Sequence, residues 1–112
     1  MLAMRAYELM VIIDGDAEEG VAESFRDKIA EAVVTAGGEV KSTDMWGRRR
    51  FAYEINHKWE GVYFVMELLG PGGNALDEME RSLRLADDVV RHKLIRLPDN
   101  EAARRGLLGA SA

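Results

Sequence analysis

Three consecutive arginines, Arg48 to Arg50, form the densest basic run in a chain whose formal net charge is −5, and Trp46 and Tyr53 bracket them. Neighbouring side chains of a strand point to opposite faces, so Arg48 and Arg50 are predicted to share a face with Trp46, and Arg49 to lie on the other. Arginines beside aromatic rings are suited to pair with phosphates and stack on bases. The alternative is a solvated hairpin whose charges only block edge-to-edge pairing.

Composition limits the chemistry that this chain can perform. Its 112 residues are enough for one domain with a modest core, and 47% hydrophobic and 31% charged residues are ordinary for a globular protein. The absence of cysteine excludes disulfides, thiolate catalysis and cysteine-ligated zinc. With only two histidines, neither a metal site nor a cofactor is expected. The acidic balance argues against bulk nucleic-acid binding but leaves room for a local basic face.

Hydrophobic periodicity predicts the order strand, helix, strand, strand, helix, strand. The first apolar strand, 7–13, is too short to span a membrane or form a signal-peptide core, and a cytoplasmic protein is expected. Asp16 with Glu19 resembles a capping box, and Gly37-Gly38 is predicted to end the first helix. The remaining elements are predicted, in order, as a strand over 39–55, a loop over 56–61, a strand over 62–69, a helix capped by Asn74 and a strand over 89–97.

This order predicts an α+β, ferredoxin-like β-α-β-β-α-β fold, in which a four-stranded antiparallel sheet carries two helices on one face. The other sheet face is left open. Pro98 is predicted to end the folded domain, which then covers residues 1–98, and residues 99–112 are predicted to form a mobile tail.

No constellation typical of catalysis is present, and the chain is not expected to be an enzyme. Gly70-Pro71-Gly72-Gly73 lacks the lysine and hydroxyl residue of a phosphate-binding loop, and it is interpreted as a turn. His57, in a polar turn, and His92, in a strand between Arg91 and Lys93, are not expected to form a nucleophile–base pair. Basic residues instead follow the strands while acids concentrate in the helices. Since the aromatic signature of RNA-recognition motifs is missing, phosphate contact and protein docking remain as interpretations.

Three segments resemble one known family, the bacterial small-subunit ribosomal protein S6 family. Met4-Arg5-Ala6-Tyr7-Glu8 is similar to the family's M-R-x-Y-E opening. Trp46-Gly47-Arg48-Arg49, with Ala52-Tyr53 and Ile55, is similar to W-G-R-R-x-L-A-Y-P-I. Leu83-Arg84-Leu85, with Asp87, Val89 and Arg91, is similar to L-R-x-x-D-x-V-x-R. Together the three segments extend from Met4 to about Leu97, in the family's order.

The resemblance implies the same ferredoxin-like fold and a structural role in the small ribosomal subunit. It also implies two partners, the central domain of small-subunit (16S) rRNA and ribosomal protein S18, with no membrane or small-molecule substrate. Arg5, Trp46, Arg48 and Arg49 match motif positions and are the candidate rRNA or partner contacts. Arg50 and Lys93 are candidates on charge alone, whereas Tyr53 and Ile55 are assigned to the core.

Two departures from the family pattern stand out. Glu54 occupies the usual proline position and adds a negative charge to the basic stretch, and Met1 to Ala3 precede the family's usual start at Met4. The competing hypothesis is an RNA-free ferredoxin-like module for protein interaction or ligand sensing. A small ferredoxin-like enzyme would need a buried cluster of His, Asp or Tyr, which the sequence does not offer.

Overall fold

The computed structural model describes residues 4–108, so the extension at 1–3 and the last four residues lie outside the described part. The elements follow one another as β1 (Met4–Asp14), α1 (Val21–Thr35), β2 (Glu39–Ile55), β3 (Lys58–Pro71), α2 (Asp77–Leu85), β4 (Val89–Arg96) and α3 (Asp99–Arg104). The strands form one sheet in the order β2-β3-β1-β4, and each neighbouring pair is antiparallel. This is the predicted ferredoxin-like topology.

Strand alternation divides the sheet into two faces. Odd-numbered residues of β1, including Leu9, Val11 and Ile13, pack under α1 and α2, and we call this side the helix face. Even-numbered residues of β1, from Ala6 to Ile12, lie on the opposite side, the open face. The helix face carries the main core, whose fully buried members from the other elements are Val33, Phe64, Met66, Leu68 and Leu83.

The first helix ends where predicted and begins later than predicted. Gly37 has a φ of 90°, and the amide of Gly38 donates to the Val33 carbonyl at 2.8 Å, as in a Schellman motif. The predicted capping box is wrong, because α1 begins at Val21 behind Gly20 with no side-chain cap. In the β1–α1 turn the side-chain hydrogen bond is made by Asp14 instead, whose Oδ1 accepts the Asp16 amide at 2.9 Å.

The second helix also begins without the predicted cap. Leu76 occupies the N-cap position and makes no side-chain cap bond, while the backbone carbonyl of Asn74 accepts the Asp77 amide at 3.1 Å. Asn74 therefore belongs to the turn that precedes α2.

The predicted domain end at Pro98 needs correction, because residues 99–104 form α3 and the packed chain continues to Leu108. Ala102 and Leu107 are buried against Ala6, Leu69 and Leu97 in a second, smaller core on the open face. Small apolar residues give a weak helical signal in sequence, yet they fit closely against a sheet. The open face is therefore covered at one end, and mobility of the tail stays a prediction.

The β2–β3 hairpin is longer than predicted, because the predicted loop at 56–61 is only a two-residue turn. Asn56 and His57 have φ values of 49° and 63°, the left-handed pair that a type I′ hairpin turn requires. β3 therefore begins at Lys58 and extends beyond the end of β1, whose pairing with β3 stops at Gly61. None of the helices within residues 4–108 has the length and apolar character needed to cross a membrane.

Candidate interface on the open sheet face

A β-bulge decides which face the aromatic and basic side chains of β2 occupy. Met45 pairs with Phe64 and Gly47 with Tyr63, so Trp46 is the extra residue, and Gly47 adopts a φ of 83°. Because the bulge inserts one extra residue, each side chain after it points to the face opposite the one that unbroken alternation predicts. Trp46 and Arg49 therefore lie on the open face, while Arg48 points to the helix side. The predicted grouping of Trp46 with Arg48 and Arg50 is wrong, because unbroken alternation does not hold across Gly47.

Three aromatic rings form a cluster on the open face. The Trp46 and Tyr63 rings are stacked, with centroids 6.1 Å apart and planes at 9°. Phe51 meets the Tyr63 ring edge-on, with centroids 6.1 Å apart. The Trp46 indole N–H donates to Asp44 Oδ2 at 2.9 Å, which fixes its orientation, yet the residue is 44% exposed. Trp46 is thus a positioned aromatic side chain available for contact.

The acids of the open face are engaged within the chain, whereas several of its cations are not. Arg105 Nη1 lies 3.3 Å from Glu8 Oε1 and 3.2 Å from Glu67 Oε2, and Glu67 also accepts from Ser42. Register places three exposed cations on the same face, namely Arg49, Arg91 and Lys93. Within residues 4–108 none of these three has a carboxylate within salt-bridge distance. The open face therefore offers positive charge to a partner.

The other predicted site residues lie away from this face. Arg48 donates from Nη1 to the Gly15 carbonyl at 2.8 Å and so fastens β2 to the β1–α1 turn. Arg5 is an odd-numbered residue of β1 and therefore belongs to the helix face. It lies against Gly72, at the end of the sheet opposite the hairpin. The six candidates consequently do not form one cluster: the structure brings Trp46, Arg49 and Lys93 to one face and separates Arg5 and Arg48 from them.

Arg50 belongs to the hairpin, where its guanidinium carbon lies 5.9 Å from the centroid of the Trp59 ring. Trp59 is 48% exposed and Tyr53 is 63% exposed, so assigning Tyr53 to the core was wrong. Both lie on strand segments beyond the end of β1, where no helix covers them. Trp59 was missed because it stands in a stretch that was predicted to be a loop.

Two ionic clusters hold the ends of this surface. At the hairpin, Lys58 Nζ lies 3.0 Å from Asp14 Oδ2. The Asp16 amide, together with Lys58, lowers the pKa of Asp14, and the same pairing raises the pKa of Lys58. At the other end, hydrogen bonds from Arg105 lower the pKa of the Glu101 carboxyl, while Glu101 and Glu8 raise the pKa of Arg105. These contacts fasten the hairpin and α3 to the sheet.

The described part of the chain offers little for catalysis or metal binding. Among residues 4–108, no three His, Asp or Glu side chains are grouped to hold a metal ion. His92 Nε2 lies 3.2 Å from Glu80 Oε2, and His57 Nδ1 lies 3.3 Å from Glu54 Oε1, on separate elements. A groove of about 540 Å³ between α1 and α2 is lined mainly by small and apolar side chains such as Ala32, Ala36 and Met79.

Sequence comparison gives consistent matches across this chain. The profile of the family Ribosomal protein S6 matches residues 6–96. Small ribosomal subunit protein bS6 of Salinispora arenicola is 48% identical over 93 residues, covering 83% of this chain and 96% of that protein. The protein of the same name from Paenarthrobacter aurescens is 43% identical over 98 residues, covering 88% of this chain and 96% of that protein.

Structural comparison agrees. The crystal structure of 30S ribosomal protein S6 from Thermotoga maritima matches with a TM-score of 0.82 at 30% identity, covering 93% of this chain and 97% of that chain. A structure described as the chemotaxis kinase CheA P2 domain in complex with the response regulator CheY matches with a TM-score of 0.54 at 11% identity. The second match shows the fold alone.

The relatives are named as structural proteins of the ribosome, a cytoplasmic particle, in agreement with the predictions of a non-enzymatic role and a cytoplasmic location. The family profile covers most of the chain, and the curated relatives are matched over nearly their full length. The chain therefore belongs to the ribosomal protein S6 family, whose members are structural components of the small ribosomal subunit.

Proposed function

We propose that this chain binds the central domain of small-subunit rRNA together with ribosomal protein S18 during assembly of the subunit. The observation that carries the proposal is the open face, which presents the exposed Trp46 together with cations on β2 and β4 that have no carboxylate partner within residues 4–108. A sheet face of this kind, covered only at one end by α3, is suited to dock a partner.

The apolar part of the face supports protein docking. Aromatic residues are enriched in interface cores because they bury a large area with few rotatable bonds. The Trp46–Tyr63 stack provides such an anchor, and the hydrogen bond to Asp44 orients it before a partner arrives. Less conformational entropy is then lost on binding.

The charged part of the face supports contact with phosphate. Arg49, Arg91 and Lys93 line the two sides of the open face, on β2 and β4. Arginine pairs with phosphate oxygens through two parallel hydrogen bonds, and lysine contacts them as a point charge. The net charge of −5 means that acidic side chains outnumber basic ones over the whole chain, so the open face supplies only part of the positive charge that RNA binding requires. In this proposal S18 contributes much of the remaining phosphate neutralisation.

The predicted site residues enter this proposal with different roles. Trp46, Arg49 and Lys93 contact a partner across the open face. Arg50 acts from the hairpin. Arg5 contacts RNA or protein from the far end of β1. Arg48 donates to the Gly15 carbonyl and, because it is also exposed near the hairpin, can contact a partner there.

A gel-shift titration tests the proposal. A central-domain rRNA fragment is titrated with this chain alone, with S18 alone and with both proteins. We expect the shifted complex at far lower protein concentration when both are present. Equal shifts by S18 with and without this chain would contradict the proposal, as would no shift in any mixture.

A further inference from the structure

The hairpin end, residues 50–60, carries exposed aromatic rings together with two cations, Arg50 and Lys58, and two acids, Glu54 and Glu60. Its strands continue beyond Asp14, the last residue of β1 that pairs with β3. Trp59 and Tyr53 are about half exposed or more in this segment, and Arg50 lies over the Trp59 ring. These rings gain little from the chain's own packing and are open to contact.

The hairpin end is held in place at three points. The Asn56 side-chain amide donates to the Val90 carbonyl at 2.9 Å, which ties the turn to β4. Lys58 Nζ lies 3.0 Å from Asp14 Oδ2, which ties β3 to the β1–α1 turn. Arg48 binds the Gly15 carbonyl and ties β2 to the same turn. The hairpin thus presents Arg50 and Trp59 on a preorganised support, which lowers the entropy lost on binding.

Arg50, unlike three other arginines of the chain, makes no ion pair in the part of the chain that the structure describes. Arg26 and Arg104 each contact a carboxylate, and Arg105 contacts three. Within residues 4–108, Arg50 has only the face of an indole ring as its partner. Its hydrogen-bond donors therefore remain available beside an exposed aromatic ring.

We infer that Trp59 and Arg50 bind an unpaired RNA nucleotide, with the base against the indole and the phosphate on the guanidinium. Unpaired bases stack on aromatic side chains and arginine planes, and arginine also pairs with the adjacent phosphate. A protein partner would use the aromatic area equally well, but Arg50, which makes no ion pair within residues 4–108 although Glu60 is its cross-strand neighbour, favours an anionic ligand. This inference rests on the proposed rRNA binding and adds an RNA contact at the hairpin end to the phosphate contacts proposed for the open face.

The test follows tryptophan emission during stepwise assembly. The chain has two tryptophans, so the difference in emission between the unaltered protein and Trp59→Phe reports Trp59. Each protein is mixed first with S18 and then with the central-domain rRNA fragment. We expect Trp59 emission to be quenched at the RNA step and to stay unchanged at the S18 step.

Affinity measurements provide the second readout. Trp59→Ala should weaken RNA binding about 5- to 150-fold, the equivalent of about 1–3 kcal/mol for one stacked base. Trp59→Phe should recover most of this loss because it keeps an aromatic face. Thermal unfolding of both variants serves as the control for folding.

The outcomes separate this inference from the function on which it rests. Unaltered assembly by Trp59→Ala, with no change in Trp59 emission at the RNA step, would overturn the inference and leave the proposed function intact. Quenching at the S18 step would assign the hairpin end to the protein partner and overturn the inference as well. Failure of the unaltered chain to form any complex would overturn both.

Discussion

Arg49 is the residue where the charge of the open face is most directly available to a partner. It is exposed, and the only hydrogen bond of its side chain among the described residues is a long one of 3.4 Å to the Arg48 carbonyl. We expect Arg49→Glu to weaken the complex with S18 and rRNA by about 1–3 kcal/mol, because it replaces a specific attractive contact with a repulsive one. The gel-shift midpoint measures this change.

The matched control is Arg81→Glu, which makes the same charge change on α2, on the opposite side of the sheet. It should leave the midpoint nearly unchanged. Equal effects of the two variants would show that the change in net charge, and not a specific contact of Arg49, weakens binding. No effect of Arg49→Glu would show that this side chain is solvated in the complex and contacts no partner.

Glu101 makes the attachment of α3 dependent on pH. Hydrogen bonds from Arg105, with a further contribution from Arg104, lower the pKa of its carboxyl below the ordinary value of 4.5. A carboxyl with a lowered pKa in the folded state stabilises the fold above its ordinary pKa, and this stabilisation disappears as the pH falls through the folded pKa. We therefore expect Glu101→Gln to lower the unfolding temperature at pH 7 and to lower it less at an acidic pH well below 4.5.

Thermal unfolding of both proteins at the two pH values measures this difference. Asp14, whose pKa is also lowered, is present in both proteins and cancels in the comparison. A constant difference between the proteins at both pH values would show that the carboxylate charge does not hold α3.

At the scale of single elements, the bulge in β2 determines which face Trp46 occupies. Gly47 holds a φ of 83°, and a Cβ added there would meet no atom within 4 Å, so a substitution costs only backbone strain. We expect Gly47→Ala to destabilise the fold by about 1–2 kcal/mol in denaturant unfolding. Gly70→Ala is the control, since its Cβ would meet the Leu76 side chain at 3.4–3.6 Å without a left-handed φ. A Gly47→Ala protein as stable as the unaltered chain would contradict this role.

The helix α3 closes one end of the open face through a small satellite core. Leu107 is buried there at 7% exposure, whereas Leu85 of α2 is 68% exposed. We expect Leu107→Ala to cost about 2–3 kcal/mol of unfolding free energy, at the lower end of the range for buried leucines because the site is peripheral. Leu85→Ala should change it by less than about 0.5 kcal/mol. Equal effects would mean that α3 is not packed in solution.

The order of the main strands and helices could be predicted from hydrophobic periodicity, because each element buries one regular stripe. The glycine pair that ends α1 was equally clear, since Gly37 supplies a left-handed φ. The position of Trp46 could not be predicted, because one glycine in a strand does not reveal a bulge. α3 was missed because its buried contacts come from small and separated residues, Ala102 and Leu107. Trp59 was missed because the hairpin turn is shorter than its polar residues suggested.

The whole molecule is elongated, with extents of 45 × 25 × 20 Å, and its surfaces differ in character. The helix layer is acidic, and the first turn of α2 alone carries Asp77, Glu78 and Glu80. The open face and hairpin carry exposed aromatic rings and arginines. An acidic protein with such a surface is suited to a defined place in a ribonucleoprotein, where one side meets partners and the other faces solvent.

Fractionation of ribosomal particles tests this account most directly. A tagged copy of the chain is expressed in a bacterium, ribosomal subunits are separated on a sucrose gradient, and the tagged protein is measured in each fraction. The account predicts that the unaltered chain sediments with the small subunit and that a Trp46→Ala, Arg49→Glu double variant shifts toward the top of the gradient. Recovery of the unaltered chain only in the ribosome-free fractions would contradict its role as a component of the small subunit.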